Sequence, residues 1–186
     1  MSPSMMQFEA NAQDPDNARA KEPVIANRTA SGFDPNSVRK VVNVQAPREV
    51  AWRVFTERMG TWWPLAHYKI GKAKAVEAVI EPRLGGRWFE RGDDGSTCDW
   101  GSVLAWEPHS RLVLSWDITA DWQYDPSLKT EIEVRFIEEG RNRTRVELEH
   151  RRLDRFGARR DEMRRIFDTE GDWGRLLEAF ARAAAA

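Results

Sequence analysis

Apolar and polar positions alternate with a period of two through most of residues 37–150, and a helical period takes over towards the C-terminus. Val38, Val41, Val42 and Val44 supply β-branched side chains for a first strand, Ser37 to Gln45. Pro47 then opens a helix running to Arg58, with Val50 and Val54 beside Ala51 and Phe55 as its apolar stripe. A proline at such an early position costs no hydrogen bond, since the first helical N–H groups have no partner. Gly60 ends the helix, and Thr61-Trp62-Trp63-Pro64 follows as a helical turn whose adjacent indoles diverge, one towards the core and one towards a pocket mouth. Six further strands are predicted: Ala75–Glu81, Gly86–Arg91, Cys98–Glu107, Arg111–Ile118, Lys129–Glu138 and Arg143–His150. Gly85-Gly86, Asp93-Asp94-Gly95, Pro108 and Glu139-Gly140-Arg141-Asn142 provide the turns, and successive hairpins imply an antiparallel meander.

The last two strands alternate most cleanly. Ile132, Val134 and Phe136 oppose Glu131, Glu133 and Arg135; Val146, Leu148 and His150 oppose Arg145, Glu147 and Glu149. One face is therefore apolar and the other a charged solvent face. Beyond them, Trp173, Leu176, Leu177, Phe180 and Ala184 form the stripe of an amphipathic helix, and Met163, Ile166 and Phe167 form a second stripe upstream. The two stripes begin ten residues apart, which is roughly 280° of helical rotation. A break between Thr169 and Asp172, at Gly171, is expected to bring both onto one side. The result is an α+β fold, a curved seven-stranded antiparallel sheet gripping a long C-terminal helix, with a short helical pair after the first strand.

Composition sharpens this picture. At 186 residues the chain suits one domain, here residues 37–186, preceded by an Asn-, Asp- and Pro-rich tail over residues 1–36. The tail's scattered apolar residues cannot offset its ordering entropy, and Val24, Ile25 and Phe33 are its only places to dock. A formal charge of −1 gives no electrostatic bias towards nucleic acid or anionic membrane. Seven arginines between Arg151 and Arg165 are interrupted by Asp154, Asp161 and Glu162 and read as a solvated helix face. No apolar run approaches a membrane span, and neither an export signal nor a second cysteine accompanies Cys98, so a cytoplasmic protein is expected. A monomer or homodimer is equally compatible.

Several stretches together resemble a known family. They are Pro47-Arg48-Glu49-Val50-Ala51-Trp52, Glu81-Pro82-Arg83-Leu84-Gly85-Gly86-Arg87-Trp88-Phe89-Glu90, and Trp100-Gly101-Ser102-Val103-Leu104-Ala105-Trp106-Glu107-Pro108. Arg111-Leu112-Val113-Leu114-Ser115-Trp116, Thr144-Arg145-Val146-Glu147-Leu148-Glu149-His150 and Gly171-Asp172-Trp173-Gly174 complete the set. In this order they resemble the START-like, or SRPBCC, superfamily of helix-grip folds, in the branch named for the C-terminal domain of the heat-shock-protein-90 ATPase activator. The resemblance covers about Ser37 to Arg182. It implies a cavity between sheet and helix, and a function among hydrophobic-ligand carriers, cyclases, hydrolases and co-chaperone modules. The namesake co-chaperones carry a larger N-terminal domain where this chain has only its tail.

Eight of the nine tryptophans fall between Trp52 and Trp122. Indoles suit a core, and they equally suit the wall of a ligand cavity. Trp63, Tyr68, Trp88, Trp100, Trp116, His150 and Trp173 are the ligand-binding candidates. His150 keeps step with Val146 and Leu148, as a polar group in an apolar wall or as a core histidine satisfied by a carbonyl. Trp116 shares a face with Leu112, Leu114 and Ile118, and Trp100 with Leu104 and Trp106; Asp117 alternates to the outside. From Arg87 to Arg91 either Trp88 and Glu90 point inward or Phe89 does, and burial statistics favour a surface carboxylate at Glu90. His150 and Glu90 are weak acid–base candidates. His67, His109, His150 and Cys98 lack metal-ligand spacing, so no metal or cofactor is called for, and Gly85-Gly86 lacks the rest of a phosphate loop.

Three functions follow as expectations. The first is binding of a small hydrophobic or aromatic molecule between sheet and helix. The second is a cyclase- or hydrolase-type reaction in the same cavity using His150 and Glu90. The third is a module acting on a chaperone, which predicts a filled core and a contiguous exposed apolar patch.

Overall fold

The structure is a computed structural model and describes residues 34–170 and 173–186. The expected tail, with Val24, Ile25 and Phe33, lies outside the described residues apart from residues 34–36. There the Leu153 amide donates to the Asn36 carbonyl at 3.0 Å and ties the start of the domain to its C-terminal half.

Seven antiparallel strands form one sheet: β1 Ser37–Val44, β2 Ala75–Ile80, β3 Arg87–Gly92, β4 Thr97–Glu107, β5 Arg111–Trp116, β6 Thr130–Gly140 and β7 Arg143–Arg151. Their spatial order is β1-β7-β6-β5-β4-β3-β2, so β2 to β7 make a continuous meander and β1 closes it beside β7. Between β1 and β2 lie α1, Arg48–Glu57, and a 3-10 turn, Met59–Thr61. After β7 come a 3-10 segment, Leu153–Arg159, then α2, Arg160–Arg165, a π turn, Ile166–Glu170, and α3, Trp173–Ala185. The break expected between Thr169 and Asp172 begins in the described π turn, and its Gly171 and Asp172 lie outside the described residues. The π turn just before it already accounts for a change of helical phase between the two apolar stripes.

The amphipathic stripes decide the packing. Leu176, Leu177 and Phe180 on α3 are buried against β1 and α1, where the Phe180 ring meets Phe55 at 5.2 Å and Trp62 at 5.5 Å. Each such fully buried side chain favours the folded state by about 1.5–3 kcal/mol. The sheet curls around this helix, which is the helix-grip arrangement.

Two bulges re-aim β4. Trp88 pairs with Gly101 and Phe89 with Asp99, which leaves Trp100 as an extra residue; Val103 pairs with Leu114 and Ala105 with Val113, which leaves Leu104 extra. Trp100, Val103 and Trp106 therefore pack on the inner face at a spacing of three, and Leu104 turns outward. The expected grouping of Trp100 with Leu104 is corrected: uninterrupted alternation does not survive the bulges. Gly101 permits the tight crossing, since a Cβ there would collide with the Ser115 carbonyl.

Candidate functional site

Where sheet, α3 and the loop after the 3-10 turn meet, the aromatic residues singled out above form one connected cluster. Trp63 lies 5.3 Å from Trp100, 6.2 Å from Trp88 and 6.0 Å from Trp173, centroid to centroid. Trp88 meets Trp100 edge to face at 5.4 Å and Trp116 at 5.9 Å; Trp116 in turn meets Trp173 at 5.9 Å. Tyr68 joins through Trp63, ring to ring at 6.2 Å. None of Trp63, Trp88, Trp100, Trp116 and Trp173 keeps more than 4% of its surface accessible. The divergence expected of Trp62 and Trp63, one to a pocket mouth, is corrected: both are buried, because α3 and the loop cover the turn that carries them.

His150 sits at the β7 end of this cluster and is wholly buried. The Trp173 indole Nε1–H donates to Nδ1 at 3.3 Å, which makes Nδ1 the acceptor and leaves the proton on Nε2. Nε2 lies 2.9 Å from Thr130 Oγ1, and the Thr130 hydroxyl donates to the Trp116 carbonyl at 3.1 Å. The imidazole is thus a neutral link in the relay Trp173 to His150 to Thr130 to Trp116. Burial pushes its pKa down to about 3. Phe167, carried by the π turn, covers the ring at 4.3 Å.

Glu90 occupies the opposite end. Trp88 and Glu90 point inward from β3, and Glu90 is 2% exposed, so the preference for a surface carboxylate is overturned. The reason is its donors. Oε2 accepts from Trp100 Nε1 at 2.8 Å and from the Ile70 amide at 3.0 Å, and Oε1 accepts from the Gly71 amide at 2.6 Å. Backbone N–H groups from a loop twenty residues upstream replace water. Gly71 is required for this approach, since a Cβ would overlap Glu90 Oε1. Phe89, on the outer face, is covered by the Arg87 guanidinium 4.3 Å above its ring.

Asp117 is also corrected. It does alternate away from Trp116, yet it is buried, because residues 118–125 fold back over it through the Ile118–Tyr124 bridge and the Asp125 amide on the Asp117 carbonyl. Burial pushes its carboxyl up. Cys98 is likewise pushed up to about 11, by burial and by Glu90 and Asp99, which leaves it a protonated, unreactive thiol. Among the described residues no group of His, Cys, Asp and Glu could hold a metal ion.

All seven ligand-binding candidates and Glu90 are therefore in one cluster. Sequence reasoning missed Thr130 and the Ile70 and Gly71 amides. Thr130 had a signal, since it keeps step with Ile132 and Val134 and would face His150; the amides had none.

With the geometry in hand, comparison with known proteins places the chain. Residues 45–185 match the family model described as Activator of Hsp90 ATPase homolog 1-like protein. The chain belongs to that family. Among solved structures, this family member is similar to an anthrahydroquino-gamma-pyrone synthase, Txn09, complexed with SUM, at 36% identity over 81% of this chain and 99% of the other, with a TM-score of 0.57. It is similar to the self-sacrificing resistance protein CalC from Micromonospora echinospora at 28% identity over 81% and 94% of the two chains, with a TM-score of 0.60. Protein NE0264 from Nitrosomonas europaea shares the fold at 13% identity, over 81% and 95%, with a TM-score of 0.57. No curated protein matches the chain. Among the described residues no helix is long and apolar enough to cross a membrane.

Proposed function

We propose that this family member binds a planar, fused aromatic molecule among the indoles between the sheet and α3. The observation that carries the reading is the cluster itself: Trp63, Trp88, Trp100, Trp116 and Trp173 linked ring to ring, with a neutral His150 and few polar groups among them. Flat, weakly polar walls with sparse, fixed donors suit a flat apolar guest. Similarity at 36% identity to nearly the whole of a protein named for an anthrahydroquino-gamma-pyrone adds support. The rings are closed against solvent, so entry requires the loop held by Glu90, residues 64–74, to move. The reading invokes no cofactor, and it neither needs nor excludes a second copy of the chain.

A second reading, turnover of the same guest, is favoured by the word synthase in the name of Txn09. In it the cluster would act mainly by holding the guest in a reactive shape. His150 and Glu90 remain its acid–base candidates, and each must first exchange a present hydrogen-bond partner for substrate. Docking to a chaperone has less support. Among the described residues, two of the large exposed apolar side chains, Val41 and Val76, lie on β1 and β2 at opposite edges of the sheet.

The test is tryptophan fluorescence of the protein titrated with fused aromatics, flavonoids, fatty acids and steroids, followed by product analysis for any ligand that binds. Saturable quenching by the flat aromatics, weakened at least severalfold in Trp116→Phe, is expected. No response to any flat aromatic would overturn the reading.

A further inference from the structure

The cluster's hydrogen bonds show one gap. Trp62 Nε1 donates to the Val54 carbonyl at 3.1 Å, Trp63 Nε1 to the Tyr68 carbonyl at 2.9 Å, and Trp116 Nε1 to the Ile118 carbonyl at 3.0 Å. Trp100 and Trp173 donate to Glu90 and His150. Trp88 is 1% exposed, and its Nε1–H has no partner, alone among these six indoles of the described residues. Buried donors are almost always paired, and one left open in an otherwise fully paired set marks a place where a partner is missing.

We propose that the Trp88 N–H is the polar anchor for the bound molecule, donating to a carbonyl oxygen on a flat ring system. This deepens the ligand-binding reading and rests on it. An indole N–H only donates, so its partner is an acceptor. Trp63 and Trp100 stand almost perpendicular to Trp88, at 85° and 84°, and Trp116 at 59°, so the acceptor has to arrive on a body that packs among aromatic faces. These neighbours are uncharged, and His150 is held neutral beyond Trp116. A carboxylate or phosphate would bury its charge against them without a counterion, whereas a ring carbonyl brings an acceptor and no net charge. The class selected is the quinone or aryl ketone, in preference to the bare hydrocarbon of the same shape. Trp88 is thereby a specificity-determining residue.

The experiment compares fluorenone with fluorene, tricyclic and flat alike, of which only the first carries a carbonyl. Their dissociation constants are measured by calorimetry on the full chain and on Trp88→Phe. The wild type is expected to prefer fluorenone about tenfold, the worth of one buried hydrogen bond, and Trp88→Phe to show a ratio near one. A preference retained in the variant, or absent from the wild type, overturns the proposal. If neither compound binds the wild type, the anchor falls, and the wider titration with flat aromatics decides whether the ligand-binding reading falls with it. Should Trp88→Phe not fold, indole N–H resonances of the ¹⁵N-labelled wild type serve instead. One of them must move further downfield with fluorenone than with fluorene; equal responses to both overturn the assignment.

Discussion

Two buried glutamates, one on each face of the sheet, are accommodated by opposite means. Glu90 on the inner face lies beside the Trp100 indole and receives three N–H groups, two from backbone and one from Trp100, without a cation among them. Glu133 on the outer face is gripped by the guanidinium groups of Arg111, Arg135 and Arg151. The inner solution uses fixed dipoles, each irreplaceable, and couples one side chain to the placement of a whole loop. The outer one uses several flexible cations, any of which can cover for another. On the proposed reading, the inner side carries the residues that would hold a shape for a guest, and the outer side carries the exposed charge ladder.

The largest expected effect comes from breaking the inner solution. Glu90→Ala removes the acceptor for the Ile70, Gly71 and Trp100 donors at once, and unsatisfied buried donors cost about 1–3 kcal/mol each before relaxation. A loss of about 4 kcal/mol in denaturant unfolding is expected, together with new proteolytic cleavage within residues 64–74. Glu90→Gln retains one acceptor oxygen and turns an amide N–H towards a donor, so it should lose about half as much. A cost below about 1 kcal/mol for Glu90→Ala would show that the loop is held by something else.

The imidazole relay gives a smaller effect with a definite sign. Because burial lowers the His150 pKa to about 3, the unfolded chain binds a proton that the folded chain refuses between about pH 6.5 and 3. Its contribution is fully present above pH 6.5 and is lost as pH falls, by about 1.4 kcal/mol per pH unit. Between pH 6.5 and about 5, before carboxylates titrate, the wild type should lose about 2 kcal/mol. His150→Gln, although less stable at pH 7, should be flatter over that interval, because the remaining histidines contribute alike to both proteins. Equal slopes would mean that His150 is reachable by protons in the folded state.

How far the sequence discloses these features depends on the range of the interactions that create them. The strands and the helix-grip order are legible, since alternation in β6 and β7 and the α3 stripe are local patterns that packing merely completes. The concentration of indoles before Trp122 likewise points to the cluster. The faces of β4 are not legible, because a bulge at Trp100 and another at Leu104 change the phase without changing composition. The burial of Glu90 and of Asp117 is hidden for a related reason. Each is closed over by a loop whose contribution is backbone, and backbone N–H and C=O groups are the same whatever the residue type. Trp88 shows the limit in the other direction: its inward placement was one of two readable alternatives, whereas its empty hydrogen bond is visible only once every neighbour's partner is known.

The outer face should yield the smallest effect and the one most dependent on conditions. Burial alone would raise the Glu133 carboxyl, and the Arg111 and Arg135 guanidiniums outweigh it and hold the pKa at about 2. Their own side chains are 31% and 58% exposed, so solvent and ions screen much of that attraction. Glu133→Gln should therefore cost only about 1 kcal/mol at neutral pH. The cost should shrink between about 0.01 M and about 1 M salt, as the screening length falls from roughly 30 to 3 Å. Glu90→Gln should be insensitive to the same change, because its partners are neutral dipoles in contact with it and closed off from ions. A salt-independent Glu133 effect as large as that of Glu90 would mean that the outer ladder is as rigid as the inner cluster. The division of labour between the two faces would then have to be abandoned.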